Sequence, residues 1–394
     1  MAKRRSRQGL SLVGVILVIF LVIYNLVVGG GRNASLTPTV PAVVTQANTL
    51  LPSTTGPISG TDWLKIYFTN PNPPDQVGHG IDNDVVAEVA KAQKTIDVTS
   101  FDLNLPNFVN ALVAAKQRGV QVRVVYDGTN GSQTLDAKQS TTGQEFNAVS
   151  VMQNAGIQLA NDGRSNGLMH DKIIILDSKI LFLGSWNMSY NDTFRNNNNL
   201  LEITNPTLIT NYQAKFNELF VDKHFGTHAE IGAQTPQTTI DGIQVLNYFS
   251  PVDHVMDKLV GLVNGAHKSI RFMAFTYTDQ NLAGAMIARF KAGVDVAGVI
   301  ENRGASQGAL VPLACANVPV KVDGNKYTMH HKVIIIDDSI VITGSFNFTK
   351  SADMVNDDNV LVIYDASVAR QYLDEFNKVN SIAKDPNPAD LTCN

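Results

Sequence analysis

His170-Asp171-Lys172, then Ile173-Ile174-Ile175-Leu176, Asp177, six residues and Gly184-Ser185-Trp186-Asn187 is a passage that the chain writes twice. The second copy is His330-His331-Lys332, Val333-Ile334-Ile335-Ile336, Asp337, six residues and Gly344-Ser345-Phe346-Asn347, with the same internal spacing throughout. In an extended strand residues i and i+2 share a face, so His170 projects with Lys172 and His330 with Lys332, while Asp171 and His331 point away. The apolar runs have no polar alternation, which predicts strands buried on both faces with their polar ends at a cleft. Asp177-Ser178-Lys179 offers turn chemistry and Ile180 to Leu183 returns as a strand. A hairpin centred near Ser178 would therefore bring Ser185 and Asn187 back beside His170.

These residue types fit an anion better than a metal, because a lysine ammonium has no lone pair to give. Lys172 and Lys332 can hold the non-bridging oxygens of a phosphodiester, with Asn187 and Asn347 adding neutral hydrogen bonds. One imidazole can attack phosphorus while the other protonates the departing alcohol and then activates water. Neither a metal nor another cofactor is required. Asp177 and Asp337, beyond the apolar runs, read as structural acceptors for turn amides.

The repeat extends beyond these passages. Tyr67-Phe68-Thr69 returns as Tyr248-Phe249-Ser250, and Gly119-Val120-Gln121-Val122 as Gly293-Val294-Asp295-Val296. Gly119 and Gly293 are farther apart in sequence than His170 and His330, so the first half carries extra residues between these landmarks, assigned to the polar stretch Gly128 to Gln144 as a loop at the site rim. Helical periodicity covers Asp84 to Gln93 and Phe108 to Arg118, the latter ending at Gly119, where a left-handed residue is expected. Ile96 to Phe101 and Val120 to Tyr126 read as strands. The alternation predicts a duplicated α/β domain, with halves at 62–225 and 243–394 joined by a linker at 226–242.

Of the 394 residues, 44% are hydrophobic and 17% charged, which suits a globular protein of two or three domains. A net charge of −4 argues against a protein whose task is coating nucleic acid. Lys3, Arg4, Arg5 and Arg7, within a basic segment at 1–9, precede an uncharged 19-residue run from Leu10 to Val28. As a helix it would span about 28 Å, enough to anchor the chain with its bulk outside the membrane, a cleaved signal peptide being the alternative. Residues 29–61 are rich in Thr, Pro, Ser, Val and Ala and read as a flexible tether. Cys315 and Cys393 allow one disulfide in an oxidising compartment.

The pair of H-x-K-x4-D-x6-G-S-x-N passages resembles the two-motif phospholipase D superfamily over the chain from about Asp62 onward. That resemblance implies two pseudo-symmetric α/β sandwich halves packed around one active site in a single, monomeric chain. It implies His170 as nucleophile and His330 as acid and base, with Ser185 and Ser345 in supporting places. The superfamily also sets an acidic partner for a histidine in a later N-x-E/D-N segment. Asn356-Asp357-Asp358-Asn359 supplies Asp358, whereas Asn196-Asn197-Asn198-Asn199 supplies only Asn198, an amide that can orient an imidazole but cannot balance its charge. Glu202 could substitute only after a local backbone shift. The implied function is a membrane-anchored phospholipase D that releases a phospholipid head group, or transfers phosphatidate to another alcohol. The alternatives are an extracellular nuclease acting on DNA or RNA, suggested by Gly344 to Lys350, a cardiolipin synthase-like transferase, and an inactive binder of anionic polymers.

Overall fold

The computed structural model describes residues 61–71, 80–140 and 143–393. The first half runs β1 (Leu64–Phe68), α1 (Asp82–Lys91), β2 (Thr95–Ser100), α2 (Pro106–Gln117), β3 (Gln121–Tyr126), α3 (Ala148–Asn154), β4 (Gln158–Asn161), β5 (Ile173–Leu176), β6 (Ile180–Gly184), α4 (Tyr190–Phe194), β7 (Asn199–Ile203) and α5 (Pro206–Asn217). The second runs β8 (Gln237–Ile240), β9 (Ile243–Ser250), α6 (Val255–Asn264), β10 (Ser269–Ala274), α7 (Gln280–Lys291), β11 (Asp295–Ile300), α8 (Leu310–Cys315), β12 (Val320–Val322), β13 (Lys332–Ile336), β14 (Ile340–Gly344), α9 (Lys350–Met354), β15 (Asp358–Tyr364) and α10 (Ala366–Ile382).

The first sheet has the order β1-β7-β6-β5-β2-β3-β4, and the second has β12-β11-β10-β13-β14-β15-β9-β8. Read backwards from β9, the second sheet repeats the first strand for strand. The additional edge strand β8 pairs with β9 and lies in the stretch expected to be a plain linker. Local chemistry explains the helix ends. Pro106 and Pro206 open α2 and α5, the Asn205 carboxamide oxygen accepts from Leu208 N, and Gly119 follows α2 at φ 93°.

The β5–β6 hairpin pairs Ile173 with Leu183 and Leu176 with Ile180, so its centre is Ser178, as the spacing predicts. Asp177 and Ser178 both adopt positive φ, 51° and 52°, in a tight turn that Asp337 and Asp338 repeat at 54° and 55°. Along β5 the side chains alternate between two cores. Ile173 and Ile175 enter a central core, whereas Ile174 and Leu176 enter an outer one. Val333 and Ile335 meet the same central core from β13, while Ile334 and Ile336 face a third cluster. The central core also takes Tyr212 and Phe216 of α5 and Tyr372 and Phe376 of α10, so these helices lie between the two sheets. Burial on both faces is why the strands read as unbroken apolar runs.

The glycine of each Gly-Ser passage has a steric origin. A Cβ at Gly184 would stand 2.3 Å from Asn199 O, and one at Gly344 would stand 2.2 Å from Asn359 O, with φ at +154° and +147°. Gly184→Ala is therefore expected to lower unfolding free energy by about 3 kcal/mol, read from the midpoint of a urea titration; an unchanged midpoint would contradict this packing.

Asp177 and Asp337 are structural in a different way from the one expected. Asp177 accepts the amides of Gln93, Lys94 and Thr95, and Asp337 those of His267, Lys268 and Ser269. They cap the chain entering β2 and β10 rather than their own turns. Burial works against each charge, but the three amides outweigh it and hold both carboxyls below the ordinary range. Cys315 and Cys393 form a disulfide. The basic segment, the apolar run and all of the tether except Thr61 fall outside the described residues. Among the described residues no helix is long and apolar enough to cross a membrane.

Candidate active site

The residues that join the two halves also build the site. The chain just before each His-x-Lys forms a parallel bridge with the segment ahead of β7 or β15 of the opposite half, Met169 with Asp357 and Met329 with Asn197. His170 N donates to Asp357 O at 3.0 Å, and His330 N donates to Asn197 O at 2.9 Å. Asp357 is itself clamped by Arg164 at 2.7 Å and lies 3.6 Å from the Lys215 ammonium, while Asn325 donates to Asn197 at 2.6 Å. The residue following each carbonyl then reaches the imidazole. His170 Nδ1 meets Asp358 Oδ1 at 2.7 Å, and His330 Nδ1 meets Asn198 Oδ1 at 2.9 Å. The histidine partners are thus exchanged across the pseudo-dyad, and one half cannot complete its own site.

The serines fix these partners. Ser345 Oγ donates to Asp358 at 2.6 Å, and Ser185 Oγ donates to Asn198 at 2.9 Å. Asn198 Nδ2 donates to the Asp192 carbonyl, so its oxygen faces His330. An amide oxygen only accepts, which places a proton on His330 Nδ1 and leaves Nε2 free. Glu202 is no substitute, since it accepts from Lys65 and Tyr67. Asp171 accepts from Asn359, and His331 contacts Asn199 and Glu375, both turned away from the His-Lys pairs as the alternation requires.

Lys172 and Lys332 fold back, each donating to the carbonyl of its own histidine at 2.6 and 2.7 Å. Burial pushes Lys172 down to about 8 and holds Lys332 well below the ordinary lysine range, with Lys172 adding to the effect on Lys332. Burial, then Lys172 and Lys332, depresses His170. Burial likewise depresses His330 against the opposing pull of Asp192, with Lys332, Lys172 and His170 adding to the depression. Asp358 is pushed up to about 6 by burial, against the nearby Lys172. The charges of both halves therefore act on one another in one buried cluster, in which Lys172 and Lys332 both face Asp358 and Asp192.

Two sets of residues escaped the sequence reading. Phe101 lies edge-on to His170 with centroids 4.9 Å apart and beneath Lys172, and Phe275 does the same for His330 at 4.6 Å and for Lys332. Phe101 and Phe275 are separated along the chain by the same interval as Gly119 and Gly293, so aligning the ends of β2 and β10 reveals them. The other is Asp192, whose Oδ2 lies 3.5 Å from His330 Nδ1. Asp192 also takes the donors of Asn187, from the backbone N at 3.0 Å and from Nδ2 at 2.6 Å. The Asn187 Nδ2 donor is thus engaged by Asp192 rather than presented as a free donor, while the Oδ1 atoms of Asn187 and Asn347 have no protein hydrogen-bond partner. Among the described residues no group of three or more His, Cys, Asp or Glu is arranged to hold a metal ion.

The family described as cardiolipin synthase, PLD-like domain, matches residues 85–220 and 259–380, one stretch in each half. The mitochondrial cardiolipin hydrolase of Xenopus tropicalis is 32% identical over 129 residues, covering 32% of this chain and 61% of that protein. A phospholipase D of Rickettsia bellii is 35% identical over 135 residues, 34% of this chain and 67% of that protein. This chain thus spans 61% of the length of the frog relative. The phosphatidylserine synthase structure from Haemophilus influenzae Rd KW20 superposes with a TM-score of 0.61 over 81% of this chain and 87% of that one, at 13% identity, a likeness of fold. With family matches in both halves and the duplicated motifs beneath them, the chain belongs to the phospholipase D-like superfamily.

Proposed function

We propose that the chain is a phosphodiester hydrolase working through a covalent phosphohistidine, with a phospholipid as substrate and phosphatidic acid as product. The observation that carries this reading is the exchange of histidine partners, which makes one site from two His-Lys pairs. His170 Nε2 attacks phosphorus, with its Nδ1 proton held by Asp358, and the bond from phosphorus to the leaving oxygen breaks. His330 Nε2 gives that oxygen a proton and then takes one from water, whose oxygen attacks phosphorus and breaks the phosphorus–nitrogen bond. Lys172 and Lys332 compensate the charge on the non-bridging oxygens. Burial and the lysines keep the His170 imidazole unprotonated and so nucleophilic. A bound phosphodiester anion offsets the lysines and favours the proton on His330.

The pH dependence follows from a carboxyl and an ammonium of the site, Asp358 and Lys172. Asp358, pushed up to about 6, must be ionised, and Lys172, pushed down to about 8, must be charged. Carboxylate character is lost below the first value and ammonium character above the second. A bell-shaped kcat/KM is expected between them, and a rate that stays flat from about pH 8 to 10 would contradict the lysine clamp.

The lipid reading is supported by the names of the relatives, by the net negative charge and by the apolar N-terminal run. On this reading the run anchors a monomer with its site outside the membrane, close to its substrate. Full-length protein in mixed micelles, assayed with a chelator against phosphatidylcholine, cardiolipin and single-stranded DNA, tests it. Release of head group or of phosphatidic acid is expected. Hydrolysis confined to DNA would replace lipid by nucleic acid, and inertness toward all three would remove the enzymatic reading.

A further inference from the structure

The two halves differ in where they keep their acid. When the halves are aligned on His170 and His330, Asp358 of the second half corresponds to Asn198, and Ala352 corresponds to Asp192. The first half therefore lacks a carboxylate beside the start of β7 and has one on α4, where the second half has a methyl group. The side chain of Asp192 is buried, with Oδ1 accepting from Asn196 Nδ2 at 2.5 Å and Oδ2 accepting twice from Asn187. Oδ2 also stands 3.5 Å from His330 Nδ1, beside the Asn198 oxygen that takes the imidazole proton.

We propose that Asp192 is the counter-charge of His330, a positioning residue that stands in for the carboxylate missing at 198. The inference rests on the phosphodiesterase reading for its catalytic consequence, but not for the pairing itself. Division of labour is the physical content. Asn198 sets the tautomer and ring orientation through a hydrogen bond at 2.9 Å, and Asp192 supplies the negative charge through space. At the other histidine Asp358 does both through one contact of 2.7 Å.

At 3.5 Å the Asp192 oxygen is beyond a good hydrogen bond, so its effect is Coulombic, favouring the imidazolium without drawing the proton off Nδ1. Asp192 faces the His330 imidazole and the Lys332 and Lys172 ammoniums, Asp102 lies within its field, and Asp358 acts on the same two lysines. Burial opposes its charge, yet His330, Asn196, the Asn187 amide and Lys332 hold its carboxyl below the ordinary range. It therefore stays anionic where a general acid is needed. The arrangement makes the two imidazoles unlike: His170 is braced by a direct carboxylate for covalent attack, and His330 by a looser one for carrying a proton.

The test compares wild type, Asp192→Asn, and Asp192→Asn combined with Asn198→Asp, which moves the acid to the place it has in the other half. Histidine-labelled NMR from about pH 4 to 8 reads the His330 titration directly, without any turnover. Asp192→Asn should lower it by about one pH unit and the double variant should restore it, with His170 unmoved in both. A His330 titration identical in wild type and Asp192→Asn, including an imidazole that stays neutral throughout in both, overturns the proposal. On a diester with an alkyl leaving group, Asp192→Asn should reduce kcat by about 10 to 100-fold with KM within about threefold, and Asn198→Asp should recover most of the loss. Failure of wild type to turn over any diester would count against the enzymatic reading alone, because the NMR comparison stands independently of it.

Discussion

His170→Ala is expected to lose turnover by at least on the order of 10⁴-fold on every diester that wild type cleaves, however good the leaving group. In the proposed mechanism the imidazole supplies the attacking nitrogen of the covalent step, so no improvement of the leaving alcohol compensates for its absence. Folding should survive. His170 lies just ahead of β5 rather than in the central core, and its backbone link to Asp357 O is independent of the side chain. Unfolding measured by urea should therefore move little while the rate falls. Retention of more than about a tenth of the wild-type rate would refute His170 as nucleophile.

His330→Asn should separate substrates by their leaving groups. An alkyl alkoxide needs its proton in the transition state, so cleavage of such a diester should fall by about 10³ to 10⁴-fold. A 4-nitrophenyl ester departs as a stable anion and needs no acid. Its first step should persist, giving a burst of one nitrophenolate per site followed by slow hydrolysis of the phosphoenzyme, since the proposed mechanism also has His330 activate water. Rapid-mixing absorbance measures this directly. Equal losses on the two substrates, with no burst, would assign His330 a role other than proton transfer.

Much of this architecture can be read in the residues because its cause is local. Ile173 to Leu176 is apolar throughout since β5 has a core on each side, and Asp177 and Ser178 take positive φ in the tight turn closed by Lys179 N donating to Leu176 O. Gly184 is required by the 2.3 Å approach of Asn199 O, a constraint that both copies of the motif meet with a glycine at the same place. The exchange of partners is different in kind. That His170 takes Asp358 and His330 takes Asn198 depends on bridges between segments 188 and 132 residues apart, which no local pattern encodes. The Asp192 contact is hidden for the same reason, although Asp192 opposite Ala352 is visible once the halves are aligned. The residues alone put Asp177 and Asp337 at their own turn amides; instead they cap β2 and β10, because the tight turn leaves their carboxylates facing the neighbouring strand. Gln237 to Ile240 does not read as a strand since it is short, polar and at a sheet edge.

The site predicts where phosphorus becomes attached. Protein carrying His330→Asn, mixed with a 4-nitrophenyl phosphodiester, quenched in alkali and digested, should yield one phosphorylated peptide by mass spectrometry, bearing the group on His170. Phosphorylation at any other residue, or a burst without a covalent adduct, would contradict an active centre in which His170 is the nucleophile and the opposite half supplies its partner.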